Sequence, residues 1–346
     1  MKVEPMKLIT FCVPCFNSQD YMRHCLDCLL QGGEDVEIIV VDDGSKDNTG
    51  KIADEYQAAH PSIVRVVHKA NGGHGSGVNK GVELATGLYY KVVDSDDWLD
   101  DEGYKKLLDT IKEHQKANTL PDLYIMDFVY NKPSENSQFE RNFRSQFPVG
   151  KIFTWKETKP FKGDKVFLMH ALIYKTEPLR ASHTILPEHT FYVDDIFAYQ
   201  PLPFMKTMYY LPQRLYMYFI GRLDQSVTVK NIVARYQQQI VVQKAMCDAY
   251  TYDQIKAMDK PLRRYLFHAL ESLMVVTLFF TCGEDTKERK QATKDLWKYI
   301  KTKDPRMYRK LFFRGFPTIV NYLPFWLKGK VMMFSYKRMV AREHLG

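Results

Sequence analysis

Most of the residues in this chain that could do chemistry fall in four short polar stretches. Asp94, Asp96 and Asp97 put three carboxylates within four residues. Such close acids repel one another, and a hard divalent cation relieves that repulsion by taking carboxylate oxygens together with the phosphates of a bound molecule. Side chains alternate along an extended segment, so Asp94 and Asp96 point the same way. The same acids also fit a plain acidic loop ahead of a helix, with Asp100 and Asp101 in its first turn. A second pair, Asp42 and Asp43, precedes Gly44 and Ser45. Buried acceptors there suit the N3–H of a pyrimidine or the hydroxyls of a ribose, while Ser45 and Asp47 suit a helix cap. In the run NGGHGSG, residues 71–77, glycines let backbone N–H groups approach phosphate or ribose, and the helix it opens offers a positive N-terminus. The fourth stretch is HTFYVDDIFAYQ, residues 189–200, where Asp194 and Asp195 stand among Phe191, Tyr192, Val193, Ile196 and Phe197. Partial burial there would raise a carboxylate towards base strength. A helix N-terminus that favours acids explains the pair equally well.

These stretches need elements that bring them to one place. Residues 7–13, 36–41, 63–67 and 89–93 read as strands, and VEIIVV is apolar enough to be buried on both faces. Helices are expected over 20–30, 46–59 and 76–85. The alternation predicts a parallel sheet with helices on both faces, and ligands bind beyond the carboxyl ends of such strands. PCFN, DDGS, NGGHGSG and DSDDW all fall at those ends, in one crevice. A helix follows over 101–117, then a strand over 123–130 and a loop or irregular hairpin over 131–150. Strands over 165–174 and 206–218 make the later part of the sheet mixed. Helical periodicity covers 234–250, 262–280 and 286–300, so a catalytic domain over 1–228 and a helical extension over 229–346 are expected.

The 346 residues are 45% hydrophobic and 14% aromatic, which supplies a packed core. The formal charge of +8 is unevenly placed, because residues 284–346 hold 16 Lys and Arg against 6 Asp and Glu. A basic, aromatic tail fits an anionic surface, either a lipid leaflet or nucleic acid. The longest apolar run, about residues 270–280, falls short of the roughly 18 residues of a membrane span. The N-terminus lacks a signal-peptide layout, so a cytosolic protein is expected. Cys12-x-x-Cys15 and Cys25-x-x-Cys28 imitate zinc-ligand spacing, but they divide between a strand, its turn and an amphipathic helix and read as reduced thiols.

The ordered set VPCFN, VEIIVVDDGSKDNT, NGGHGSGVNKG, ATGLYYKVVDSDDWLD and FYVDDIF resembles bacterial family 2 glycosyltransferases over residues 6–228. The resemblance implies a GT-A fold, an α/β Rossmann-like mixed sheet, here followed by a C-terminal helical extension. It implies an inverting transfer from a nucleotide-diphospho-sugar, a UDP-sugar, with no covalent enzyme intermediate. The nucleotide would lie near Pro14, Phe16, Asn17, Asp42 and Asp43 and against the turn containing Asn71, Gly72, Gly73 and His74. Asp94 and Asp96 match the family's D-x-D motif, with Ser95 between them counted in the donor site. Asp94 would face ribose or metal, and Asp96 would ligate Mn²⁺ or Mg²⁺ directly. Asp194 matches the catalytic base and Phe197 the aromatic that follows it. Val193 replaces the usual Glu, which leaves Asp195 as second candidate. Arg222, in GRLDQSV, suits either the diphosphate or a salt bridge with an acid such as Asp224. The family implies a glycan or lipid-linked acceptor in cell-surface polymer synthesis, at the cytosolic face of an anionic membrane and without nucleic acid. The tail would lie on that membrane, or else cap the catalytic domain and support a homo-oligomer. Three rivals stand beside this reading. One is a D-x-D phosphatase, whose nucleophilic aspartate would follow the first strand, where VPCFN has no acid. Another is a nucleotidyltransferase, whose basic loop near the first strand is missing here. The third is a non-catalytic partner subunit that keeps the fold.

Overall fold

A computed structural model describes residues 6–161, 163, 165–221 and 234–343, the side chains of 316 and 336–343 excepted. The chain divides into two compact units, Met1–Lys159 with Phe167–Gly221 and Pro160–Val166 with Arg222–Gly346.

In the first unit β1 (Ile9–Cys15), β2 (Val36–Asp42), β3 (Val64–His68) and β4 (Tyr89–Val92) are parallel neighbours. β1 and β2 are buried along their whole length, as their unbroken apolar runs require. Register places Cys15 beside Asp42 and Asp42 beside His68, so the polar turns after β1, β2 and β3 lie together. The chain continues through β5 (Trp98–Leu99), β6 (Leu123–Lys132), β7 (Ser137–Arg141), β8 (Ile152–Thr154), β9 (Leu172–Lys175) and β10 (Thr207–Phe219). All ten strands form one sheet in the order β3-β2-β1-β4-β9-β6-β10-β5, with β7 on β6 and β8 on β10. β9 runs antiparallel to both β4 and β6, while β10 is parallel to β6, which makes the sheet mixed beyond β4.

Helices α1 (Met22–Leu30), α2 (Thr49–Ala59), α3 (His74–Leu84) and α4 (Asp101–Lys116) lie between these strands in the chain. α4 starts where Asp100 accepts the Gly103 N–H at 3.0 Å, and it buries Tyr104, Leu107, Leu108 and Ile111 at helical spacing. Two short helices follow, α5 (Thr176–Ala181) and α6 (Asp194–Tyr199).

The strand expected over 165–174 is confined to Leu172–Lys175, because Met169–Ala171 forms a 3₁₀ turn. The His170 carbonyl accepts the buried Lys91 ammonium at 2.7 Å. Satisfying that charge in the sheet interior outweighs one more ladder bond. Residues 131–150 contain the irregular hairpin, since β7 pairs antiparallel with β6 across a left-handed Asn136 at φ 47°.

The second unit is helical among its described residues. Its longest buried helix, Lys260–Cys282, places Leu266, Leu270, Met274 and Leu278 on one fully buried stripe. By length and composition this helix is apolar enough to cross a membrane, with a mean hydropathy of 1.6 over its best window, and 72% of that window is buried within the protein. It exceeds the apolar run visible in the sequence because a Pro-initiated first turn with Arg263 and Arg264 extends it. Helices Tyr236–Ala249, Tyr252–Ala257, Lys287–Lys303, Pro305–Phe312, Phe316–Tyr322 and Phe325–Glu343 are the other helices among its described residues.

Candidate active site

The carboxylate after β2 builds a turn. Asp43 Oδ1 accepts from the Lys69 ammonium at 2.7 Å and the Gly72 N–H at 2.9 Å. Its Oδ2 accepts from the Gly73 N–H at 2.7 Å and the Asn71 amide at 3.1 Å. Two N–H groups expected to approach a phosphate are therefore donated to Asp43 instead. Asp42 accepts from the Ser45 N–H at 3.0 Å and from His68 Nδ1 at 2.9 Å. Burial opposes its ionisation, but Ser45 and His68 hold its carboxyl below the usual range. Asn17, left-handed at φ 50°, accepts the Lys46 N–H and donates its own N–H to Ser45. Pro14 is buried in β1, whereas Phe16 and Asn71 are exposed.

The glycines after β3 serve a second purpose, the approach of a distant segment. Gly73 lies at φ 83°, and a Cβ there would sit 3.0 Å from the backbone nitrogen of His189. At Gly75 a Cβ would come within 2.9 Å of both Leu186 and the Pro187 carbonyl. Through this gap Gly72 accepts the His189 N–H at 2.6 Å, and the Asn79 side chain pairs twice with the Leu186 backbone at 2.9 Å. Two left-handed residues, His189 at φ 49° and Tyr192 at φ 65°, then turn the chain into α6. Such a conformation is costly for a bulky side chain and persists where the surroundings enforce it. Phe197 anchors α6 edge-on against Tyr90 and Tyr174, with centroids 6.2 and 5.3 Å away.

The result is an acidic crevice made from three separated stretches of sequence. His74, the first residue of α3, meets Asp94 Oδ1 through Nε2 at 2.7 Å. Burial opposes protonation of His74, but the charges of Asp94, Asp194 and Asp96 outweigh it and raise its pKa. Burial likewise opposes ionisation of Asp94, and His74 with more distant help from His170 and Lys91 holds it low. Asp194 moves the other way: burial raises its pKa, His74 partly offsets this, and the Asp94 charge adds to the rise. Burial and the neighbouring Asp194 push Asp195 well above the carboxylate range.

Along the turn after β4, Asp94 and Asp96 are partly exposed while Ser95 and Asp97 are buried. The Ser95 hydroxyl meets that of Ser18 at 2.7 Å and ties this turn to the one after β1. Asp94 and Asp96 form an oxygen-only donor pair suited to a hard cation. Among the described residues no three His, Cys, Asp or Glu side chains gather to hold a metal, so a bound molecule's oxygens would complete its shell. Arg222 lies outside the described residues.

Sequence reasoning missed the underside of this crevice. Lys91 is fully buried in β4, and burial pulls its pKa down to about 7. Tyr216 of β10 reaches both Asp94 and Asp97. The one signal was a lysine interrupting the apolar run YYKVV, since a charge inside a buried strand must have partners there.

Residues 10–175 match the family model described as Glycosyl transferase family 2. The uncharacterized glycosyltransferase EpsJ of Bacillus subtilis is 38% identical over 109 residues, which cover 31% of each chain. A poly(ribitol-phosphate) beta-glucosyltransferase of Bacillus spizizenii is 35% identical over 119 residues, 33% of this chain and 19% of that one. These matches therefore span about a third or less of those relatives. The crystal structure of S. aureus TarS 1-349 in complex with UDP-GlcNAc superposes with a TM-score of 0.65 at 18% identity, covering 96% of this chain and 92% of that one. By fold the protein is of the GT-A class with C-terminal helices, and by sequence residues 10–175 are similar to family 2 glycosyltransferases.

Proposed function

We propose that this chain is an inverting glycosyltransferase that moves a sugar from a nucleoside-diphosphate donor, a UDP-sugar, to a hydroxyl of a glycan or lipid-linked acceptor. One observation carries the reading: Asp194, a hundred residues downstream, shares an electrostatic environment with His74, Asp94 and Asp96. A raised carboxylate beside a pair of oxygen ligands is what an acid–base step next to a departing phosphate requires.

In this reading Asp194 takes the proton of the acceptor hydroxyl while the acceptor oxygen bonds to the anomeric carbon. The bond from that carbon to the diphosphate oxygen breaks on the opposite face, and the electron pair leaves with the nucleoside diphosphate. Asp94 and Asp96 would hold Mn²⁺ or Mg²⁺, which when bound supplies positive charge to the diphosphate. His74, paired with Asp94, keeps that carboxylate ionised and adds a positive group to the crevice. The exposed Phe16 ring offers a face for the base, and the Asp43-built turn shapes the wall beside it. The UDP-GlcNAc named with the TarS structure and the polymer acceptor named for the B. spizizenii relative agree with this choice of substrates. Hydrolysis of UDP-, GDP- and TDP-sugars with Mn²⁺ tests it. UDP release from one UDP-sugar is expected, and pyrophosphate release instead would favour a nucleotidyltransferase.

The catalytic part is assigned to residues 1–228, and the extension over 229–346 to an anionic membrane at the cytosolic face. Residues 305–342 contain nine Lys and Arg and no Asp or Glu. The same stretch exposes Phe313, Ile319, Tyr322 and Trp326. Basic charge with aromatic side chains at headgroup depth is the pattern of interfacial binding. The whole protein should sediment with vesicles containing phosphatidylglycerol, release at high salt, and ignore neutral phosphatidylcholine vesicles. The Trp326→Ala variant should bind several-fold more weakly. Equal affinity for both vesicle types, or none for either, would return these helices to a packing role.

A further inference from the structure

The turn that carries Asp94 and Asp96 is fastened from below by a residue of a different strand. Tyr216 lies in β10, just past two register shifts around Arg214. Register irregularities of this kind re-aim a side chain. The Tyr216 hydroxyl accepts the backbone N–H of Asp94 at 3.0 Å and donates to Asp97 Oδ2 at 2.6 Å. Asp97 Oδ1 accepts the Phe219 N–H at 2.7 Å. Asp97 is 1% exposed, whereas Asp94 and Asp96 are partly exposed.

The phenol is itself held on its ring. His170 stacks on Tyr216 with centroids 4.6 Å apart and an interplanar angle of 20°. The Lys91 ammonium sits 4.9 Å from the Tyr216 centroid and donates to the His170 carbonyl. A hydroxyl so restrained has one orientation available, proton towards Asp97 and lone pair towards Asp94.

We propose that Tyr216 and Asp97 are a positioning pair for sugar transfer, fixing the main chain at Asp94 so that its carboxylate and His74 meet the departing diphosphate at the right place. This rests on the transferase reading above. Neither residue touches substrate; both act through Asp94. Tyr216→Phe removes the acceptor for the Asp94 N–H and the donor to Asp97 while leaving the ring stack intact. Asp97→Asn keeps a carbonyl oxygen for the Phe219 N–H but offers the Tyr216 proton an amide, so it is the milder lesion.

The test measures kcat and donor KM in both variants and amide hydrogen exchange over residues 92–99. Small shifts of a reacting group can cost about a hundredfold in rate. Tyr216→Phe should lower kcat by about ten- to a hundredfold, with donor KM within about threefold of wild type and faster exchange at Asp94. Asp97→Asn should fall between it and wild type. If Tyr216→Phe keeps kcat within about twofold while exchange at Asp94 accelerates, the bond is structural only and the proposal falls, although the transferase reading stands. If wild-type protein turns over no nucleotide-sugar, the reading itself fails and takes the proposal with it.

Discussion

Asp194→Asn should leave UDP binding within about threefold of wild type and cut sugar transfer by roughly 10² to 10⁴, the range that general-base removal usually costs. The two effects separate because the asparagine keeps the shape and hydrogen-bonding capacity of the side chain but cannot accept a proton. The pH profile gives an independent sign. Burial and the Asp94 charge raise the Asp194 pKa, with His74 only partly offsetting them. The base works when ionised, so kcat should fall as pH drops through a value raised above that of an ordinary aspartate. Asp194→Asn should flatten that acid limb. Asp195 is the second candidate, and burial together with the neighbouring Asp194 pushes its pKa up as well, so the two carboxyls titrate as a pair. Asp195→Asn should cost less if Asp194 is the base, and the reverse ranking would move the base to Asp195.

Asp96→Ala should have the complementary effect: loss of metal-dependent UDP binding by about a hundredfold or more, with EDTA doing the same to wild type. Asp94 cannot carry the cation unaided, because its Oδ1 is already held by His74 at 2.7 Å. Deleting one of two carboxylates leaves a hard cation a single protein ligand and a weaker charge to hold it. Asp96 is also partly exposed, so replacing it should leave folding stability nearly unchanged. Calorimetry with UDP and Mn²⁺ gives the readout, and full affinity in the variant would remove the metal assignment.

Local features carried much of this site into the sequence. VEIIVV announced a strand buried on both faces, and β2 is that strand. The carboxyl-end placement of DDGS, NGGHGSG and DSDDW followed from the alternation of strands and helices, and their turns do lie together. Less legible were roles set by a partner far along the chain. The turn glycines looked like a phosphate cradle, yet Asp43 takes two of their N–H groups and residues 186–189 use the space they leave. Nothing local reveals that Ser95 meets Ser18, 77 positions away. Tyr216 is one of several aromatics in β10, and only the register shifts at Arg214 bring its hydroxyl to Asp94. Period-two reasoning has no means of placing such a shift.

Side-by-side calorimetric titration of UDP with Mn²⁺ into Asp96→Ala and Asp194→Asn tests the division of labour most directly. The two acids are expected to part company, with binding lost in the first variant and kept in the second. Equal affinity in both variants, whether retained or lost, would contradict a crevice in which one acid grips the donor and the other deprotonates the acceptor.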